Sequence, residues 1–232
     1  VAASSLKRLA GEKAATLVKS GMRVGLGTGS TVRFSIEKIG ELLQRGELTD
    51  VVGVPTSEAT AELARAVNIP LSTLEDTPEL DVAIDGADEV DPSFQLVKGW
   101  GAALLREKMV ELCAKRLVIV VDGSKLVPRL GKRGVPVEVV RFGCEHVRSQ
   151  LAALGCVATL RRAADGQLLV TDNGNHIVDC VFEDGLVDPA AAGAQILAIC
   201  GVVEHGLFLN MATDVVCASD AGVQFLEKGF AV

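Results

Sequence analysis

Residues 117–121 read Leu-Val-Ile-Val-Val, five consecutive apolar side chains followed at once by Asp122, Gly123, Ser124 and Lys125. A strand without polar alternation must be covered on both faces, the condition of a parallel sheet with helices above and below. Residues 22–26, 51–54, 71–74 and 82–84 supply further short apolar runs. Between them lie segments with apolar residues at helical spacing, over 6–19, 32–45 and 102–115, and one over 58–67 for which Ser57 is a natural N-cap. Strands alternating with helices predict βαβ units, a parallel sheet and right-handed crossovers.

The rhythm changes after Gly131, Lys132, Arg133 and Gly134. The order predicted there is strand (137–140), helix (145–154), strand (157–161), two strands flanking the turn residues Asp172, Asn173, Gly174 and Asn175, helix (189–200) and strand (202–208). This is the order of a split β-α-β-β-α-β unit. The expected fold class is therefore α/β, with the parallel-sheet domain formed by residues 1–131 and 208–232 and a small α+β domain by 132–207. A strand at 215–218 would return to the first sheet, and a terminal helix is expected near 222–227.

Charge and composition exclude several functions. The net charge is −7, with no basic stripe and only 3% aromatic residues, so neither the electrostatic footprint nor the stacking platforms of a nucleic-acid binder are present. No apolar run reaches the ~18 residues of a membrane span, and Lys7, Arg8, Glu12 and Lys13 interrupt the start of the chain. A soluble, cytoplasmic protein is expected. The six cysteines stand alone, with no C-x-x-C pair, and are expected as buried free thiols. His146, His176 and His205 are far apart and lack a metal-like partner four residues away, so no metal site is expected.

Four polar loops fall at the carboxyl ends of predicted strands, where open α/β sheets bind ligands. Gly27, Thr28, Gly29, Ser30 and Thr31 join a strand to a helix, offering glycine backbone, hydroxyls and a helix N-terminus. The loop is either a phosphate cradle or a tight turn with a capping hydroxyl. It matches neither the dinucleotide nor the P-loop glycine pattern. Asp85, Asp88 and Glu89 crowd three carboxylates at one strand end, an acid/base set, a site for Mg²⁺ or a solvated acidic turn. Lys98, Gly99, Trp100 and Gly101 precede the helix bearing Glu107. A lysine there suits a phosphate or a developing enolate, or is an ordinary surface lysine, the reading that Lys98 taken alone favours. Glu107 has Ala103, Leu104 and Val110 as helical neighbours. It is either a partly desolvated base working near neutrality or a boundary glutamate paired with Arg106 or Lys108. Lys125 follows the fully apolar strand and is expected within reach of the same crevice.

These stretches resemble the type A ribose 5-phosphate isomerases: GLGTGST (25–31), DGADE (85–89), KGWGAALLREK (98–108), DGSK (122–125), PVEV (136–139) and TDNGN (171–175), in the family's order. The resemblance implies a Rossmann-like parallel-sheet domain with a smaller ferredoxin-like α+β domain. It also implies interconversion of ribose 5-phosphate and ribulose 5-phosphate without metal or organic cofactor, in the pentose phosphate pathway, by a homodimer or larger homo-oligomer. Glu107 would be the base that moves a proton between C1 and C2 through an enediolate. Asp85, Asp88 and Lys98 would assist ring opening and steady the enediolate oxygens. Thr28, Gly29, Ser30, Thr31, Gly86, Ala87, Gly99, Trp100, Gly101 and Lys125 would contact the sugar phosphate. The family usually has glycine where this chain has Trp100. Two other readings compete. A sugar-phosphate-responsive repressor would need a DNA-binding module that these residues do not supply and would leave Glu107 without a task. A nucleotide-dependent oxidoreductase would need the glycine fingerprint that is broken here.

Overall fold

The computed structural model describes residues 3–232. In chain order the elements are α1 (Ala3–Ala15), β1 (Arg23–Leu26), α2 (Val32–Gln44), β2 (Val52–Pro55), α3 (Glu58–Ala66), β3 (Val82–Gly86), β4 (Glu89–Val90), β5 (Leu96–Val97), α4 (Leu104–Leu112) and β6 (Leu117–Asp122). There follow β7 (Val135–Val139), α5 (Cys144–Ala152), β8 (Val157–Leu160), β9 (His176–Val181), α6 (Pro189–Leu197), β10 (Val202–His205), β11 (Leu207–Phe208), β12 (Asp214–Ser219) and β13 (Gly222–Phe225).

A six-stranded sheet has the order β13-β12-β6-β3-β1-β2, with every neighbouring pair parallel except the edge hairpin β12–β13. The apolar run of β6 lies near its centre and is buried throughout. Its alternate residues feed two cores, as the pleat requires. Val118 and Val120 pack with α1 and α2, whereas Leu117, Ile119 and Val121 pack with Phe94, Leu104 and Phe208 on the opposite face. A second, antiparallel sheet has the order β10-β7-β9-β8 and carries α5 and α6, with its own core around Val137, Val147, Leu151, Val178 and Ile196. The chain is thus an α/β protein, and the strand–helix order of the smaller unit matches the β-α-β-β-α-β pattern. Among the described residues, no helix is long and apolar enough to cross a membrane.

Several local expectations are corrected. The helix expected near 222–227 is strand β13: the chain turns back after Ser219 and pairs Val216 with Phe225 at the sheet edge. The run 71–74 makes only a bridge from Leu71 to Gly53, supported by Ser72 N donating to Gly53 O at 2.9 Å, before the chain turns away at Thr73 and Thr77. Ahead of the turn at Asp172, Leu168 forms a single bridge to Arg162 in place of a strand. Helix α4 is shorter than predicted at both ends. Only Cys180 and Cys217 are buried; Cys200 is exposed and the other three are half-buried.

The most instructive correction concerns 202–208, which is two strands in two sheets. β10 pairs with β7, and β11 pairs with β5. Gly206 is the hinge: its N–H donates to Pro136 O at 2.7 Å and its carbonyl accepts from Lys98 N at 2.8 Å. A Cβ at this position would lie 2.1 Å from Lys98 O, so only glycine lets the chain pass. β4, β5 and β11 form a three-stranded sheet that sequence periodicity did not reveal, because two-residue strands are too short to show a period. This small sheet sets the loop after β3 against the loop before α4.

Candidate active site

The four loops singled out in the sequence converge. Thr28, Gly29, Ser30, Thr31, Gly86, Ala87, Asp88, Lys98, Gly99, Trp100, Gly101, Glu107 and Lys125 line one cavity of ≈ 240 Å³. It opens at the carboxyl ends of β1, β3 and β6, where ligands of open α/β sheets sit.

Behind the cavity lining, Asp85 lies near the end of β3, fully buried. Its Oδ1 accepts from Thr28 N at 3.0 Å and Gly86 N at 2.6 Å. The close passage of β1 and β3 leaves no room for a side chain at Gly27, whose Cβ would fall 2.1 Å from Asp85 Cγ. Lys98 Nζ donates to Gly86 O at 2.7 Å. The same ammonium lies 3.0 Å from Asp85 Oδ2, 3.5 Å from Glu107 Oε2 and 3.3 Å from Glu111 Oε1. Burial pushes the lysine pKa down, but the three carboxylates outweigh it and hold the group well above its ordinary value. Lys98 therefore stays charged, with its ammonium 5.3 Å from the centre of the Phe208 ring.

Glu107 stands on the first turn of α4 with only 3% of its surface exposed. Burial pushes its carboxyl up to about 8; Lys98 pulls it down, and Asp85 and Asp88 add to the rise. The boundary-pair alternative fails. Arg106 binds Glu58 at 2.7 Å, Asn173 Oδ1 at 2.9 Å and Asp172 O at 3.2 Å, and Lys108 binds Glu204 at 2.8 Å and His205 O at 2.7 Å. Both neighbours of Glu107 thus anchor α4 to surrounding elements, leaving the glutamate aimed into the cavity. Asp88 accepts from Trp100 N at 3.0 Å, and burial raises its pKa.

The third acid of the DGADE loop has a different task. Glu89 is buried and accepts from Gly131 N at 2.6 Å and Arg133 N at 2.8 Å, fastening the 131–134 loop. Among the described residues, no group of three His, Cys, Asp or Glu side chains has the arrangement of a metal site. The Thr28 hydroxyl is also committed away from the cavity, to Thr56 at 2.7 Å, Ser57 at 2.8 Å and Thr60 at 3.0 Å. Ser30 and Thr31 remain at the N-terminus of α2, where Thr31 makes no side-chain capping bond. Donors there suit an anion.

Trp100 stands half-exposed at the mouth. Its indole Nε1 donates to Gly134 O at 3.4 Å, and the Lys125 ammonium lies 5.6 Å from its ring centre. The loop is braced from the second sheet: Arg161 Nη1 donates to Gly99 O at 2.9 Å and Trp100 O at 3.0 Å. The TDNGN turn is a brace of the same kind. Glu138 Oε1 accepts from Thr171 Oγ1 at 3.0 Å, Asn173 Nδ2 at 3.1 Å and Asn175 Nδ2 at 2.9 Å, and the turn so fixed holds Arg106.

Sequence reasoning missed two groups here. Lys7, on α1, donates to Ser30 Oγ at 2.9 Å; only the fold brings the two together. Glu111 had a signal, since it lies one helical turn from Glu107 and so on the same face.

A profile of the ribose 5-phosphate isomerase A (phosphoriboisomerase A) family matches residues 52–222. The chain is 49% identical over 229 residues to the probable ribose-5-phosphate isomerase 2 of Arabidopsis thaliana, covering 96% of this chain and 86% of that protein. It is 50% identical over 228 residues to the ribose-5-phosphate isomerase A of a Synechococcus species, covering 97% and 98%. The structure superposes on ribose 5-phosphate isomerase from Plasmodium falciparum with a TM-score of 0.93 at 41% identity, covering 98% of this chain and all of that one. A second solved isomerase, in complex with phospho-erythronic acid, gives 0.94 at 38% identity, again over 98% of this chain and all of the other. Together with the converging loops, these matches show that the chain belongs to the ribose 5-phosphate isomerase A family.

Proposed function

We infer that this chain interconverts ribose 5-phosphate and ribulose 5-phosphate with Glu107 as the base that carries the proton between C2 and C1. The observation behind this reading is a single buried carboxylate, aimed into the cavity, whose affinity for a proton is raised to about 8. A group near neutrality takes a proton from carbon and returns it without being trapped in either state. When the aldose is open, removal of the C2 proton gives an enediolate. Lys98 stays cationic and lies beside Glu107, so it stabilises the negative oxygen that develops. Asp88 holds a proton more tightly than an ordinary aspartate and lines the cavity, which suits it to relay a proton to or from the ring oxygen during opening. Asp85 fixes Lys98 from below.

The phosphate belongs at the other end of the cavity. Ser30, Thr31 and the start of α2 supply neutral donors; Lys125 on the cavity lining and Lys7, which reaches Ser30 from α1, supply charge. A solved relative holds phospho-erythronic acid, an acid that carries a phosphate; we read the cavity here as made for such a sugar phosphate. The same reading needs no metal or organic cofactor. It places the protein in the pentose phosphate pathway, as a cytoplasmic homodimer or larger homo-oligomer. These last assignments rest on the family resemblance, and one relative is named chloroplastic.

The test is turnover of ribose 5-phosphate with EDTA present. Undiminished formation of ribulose 5-phosphate is expected. Activity that vanishes in EDTA and returns with Mg²⁺ would recast Asp85 and Asp88 as ligands and overturn the cofactor-free reading.

A further inference from the structure

Glu111 is buried to the same degree as Glu107, yet it does not line the cavity, and neither of its oxygens has a hydrogen-bond partner among the described residues. Its Oε1 lies 3.3 Å from the Lys98 ammonium, which it shares with Asp85 on β3 and with Glu107 one turn back on its own helix. Lys108 is hydrogen-bonded to Glu204 and His205, and its charge also acts on Glu111. Among the described residues, Lys98 is the one ammonium within ion-pair distance of all three carboxyls. Were all three ionised, a water-poor pocket would hold two uncompensated negative charges, a costly arrangement. Asp85 has contacts proper to an anion, with two backbone N–H donors on Oδ1 and Lys98 on Oδ2. Glu107 must lose its proton during the reaction. Glu111 is the carboxyl left to stay neutral.

We propose that Glu111 is a permanently protonated acid that donates its proton to Asp85 Oδ2, and that it acts as a positioning residue keeping the Lys98 charge for Glu107 and the substrate. Lys98 lies 3.0 Å from Asp85 Oδ2 but outside hydrogen-bond geometry, so this proton gives that oxygen a hydrogen bond. Burial raises the proton affinity of Glu111, Lys98 opposes it, and Asp85 and Glu107 add to the rise, so its proton is held well above the ordinary carboxylate range. With Glu111 neutral, the cluster is uncharged while Glu107 is protonated and carries one negative charge when it is the base. The proposal rests on Glu107 being that base.

The experiment compares E111Q, E111L and E107Q. In E111Q the amide keeps a donor for Asp85 and no charge is lost, so the acid limb of kcat/KM is expected within about 0.3 pH units of the wild type. E111L removes the donor and is expected to lower kcat by roughly 10-fold or more, the effect of losing a hydrogen bond to a charged group, with E111Q recovering most of that loss. Infrared difference spectra at alkaline pH are expected to show a protonated carboxyl band in the wild type and in E107Q that is missing in E111Q. An acid limb displaced to lower pH by a unit or more in E111Q would mean that a negative charge had been removed, and would overturn the proposal. So would the lack of the infrared band in E107Q, or full turnover in E111L. Should E111L not fold, the E111Q profile and the spectra decide alone. Retained turnover in E107Q would instead overturn the base assignment, leaving the infrared result to stand separately.

Discussion

Replacing Glu107 by glutamine is expected to remove turnover and to raise stability together, because the feature that makes this glutamate a base is a cost to the fold. The native carboxyl binds its proton up to about pH 8, whereas an unfolded glutamate releases it near 4.5. Below the unfolded value both states are protonated and the residue imposes no penalty. As pH rises, the unfolded chain gains free energy by ionising, and stability falls until the native group also ionises near 8. At about 1.4 kcal/mol per pKa unit the penalty is ~3 kcal/mol at pH 7 and approaches ~5 kcal/mol above pH 8. Glutamine does not titrate and keeps the shape. Loss of one partner for Lys98 offsets part of the gain, leaving about 2–3 kcal/mol near pH 8. For a chain of this size that corresponds to a Tm increase of roughly 5–10 °C. Thermal unfolding of the two proteins between pH 4 and pH 9 is the assay, with kcat measured alongside. The gain is expected to vanish at pH 4. A Tm that is unchanged or lower at pH 8, or a gain of equal size at every pH, would refute the reasoning.

Other perturbations test the neighbouring parts. Gly27→Ala places a Cβ against Asp85 and is expected to cost about 10²-fold or more in kcat; near-normal turnover would show that β1 and β3 tolerate separation. Lys125→Ala and Thr31→Ala are expected to raise KM more than they lower kcat, and unchanged KM in both would remove those loops from the phosphate end. Trp100 is the only tryptophan of the chain, so its fluorescence reports the cavity mouth directly. Ribose 5-phosphate is expected to change the emission in the wild type and to do so only at higher concentration in Lys125→Ala. Arg106→Ala is expected to cost about 1 kcal/mol of stability and roughly 10-fold in kcat, with Asn173→Ala adding little to it. Additive effects would mean that the Thr171–Asn175 turn does not act through Arg106.

The parallel sheet was legible because β6 is apolar without interruption, and because each strand that ends at the cavity passes directly into a glycine-containing or acidic loop. Of the residues expected from the sequence to act on or touch the substrate, all line the cavity except Asp85, which lies behind it against Lys98. What stayed hidden were features settled by tertiary contact. The strands of the small third sheet are two residues long and have no periodicity, yet they bring Asp88 and Lys98 together. The bend at Gly206 depends on how close the chain passes to Lys98 O. DGADE shows three equal acids in the sequence, and only the fold separates Asp85 and Asp88 at the cavity from Glu89 under the 131–134 loop. Thr28 has the same history, its hydroxyl taken up by Thr56, Ser57 and Thr60. The terminal segment was misread because its apolar residues are too few to distinguish a short helix from an edge strand.

The most direct test of the account is isomerisation of ribose 5-phosphate in deuterium oxide, following exchange of the C2 proton with solvent and formation of ribulose 5-phosphate in the same samples. If Glu107 carries the proton, exchange and turnover fall in parallel in Glu107→Gln, by about 10²–10⁴-fold, the worth of a general base, with a modest change in KM. A Gln variant that keeps near-normal turnover and exchange would contradict the account and move the search for the base to Asp85 or Asp88.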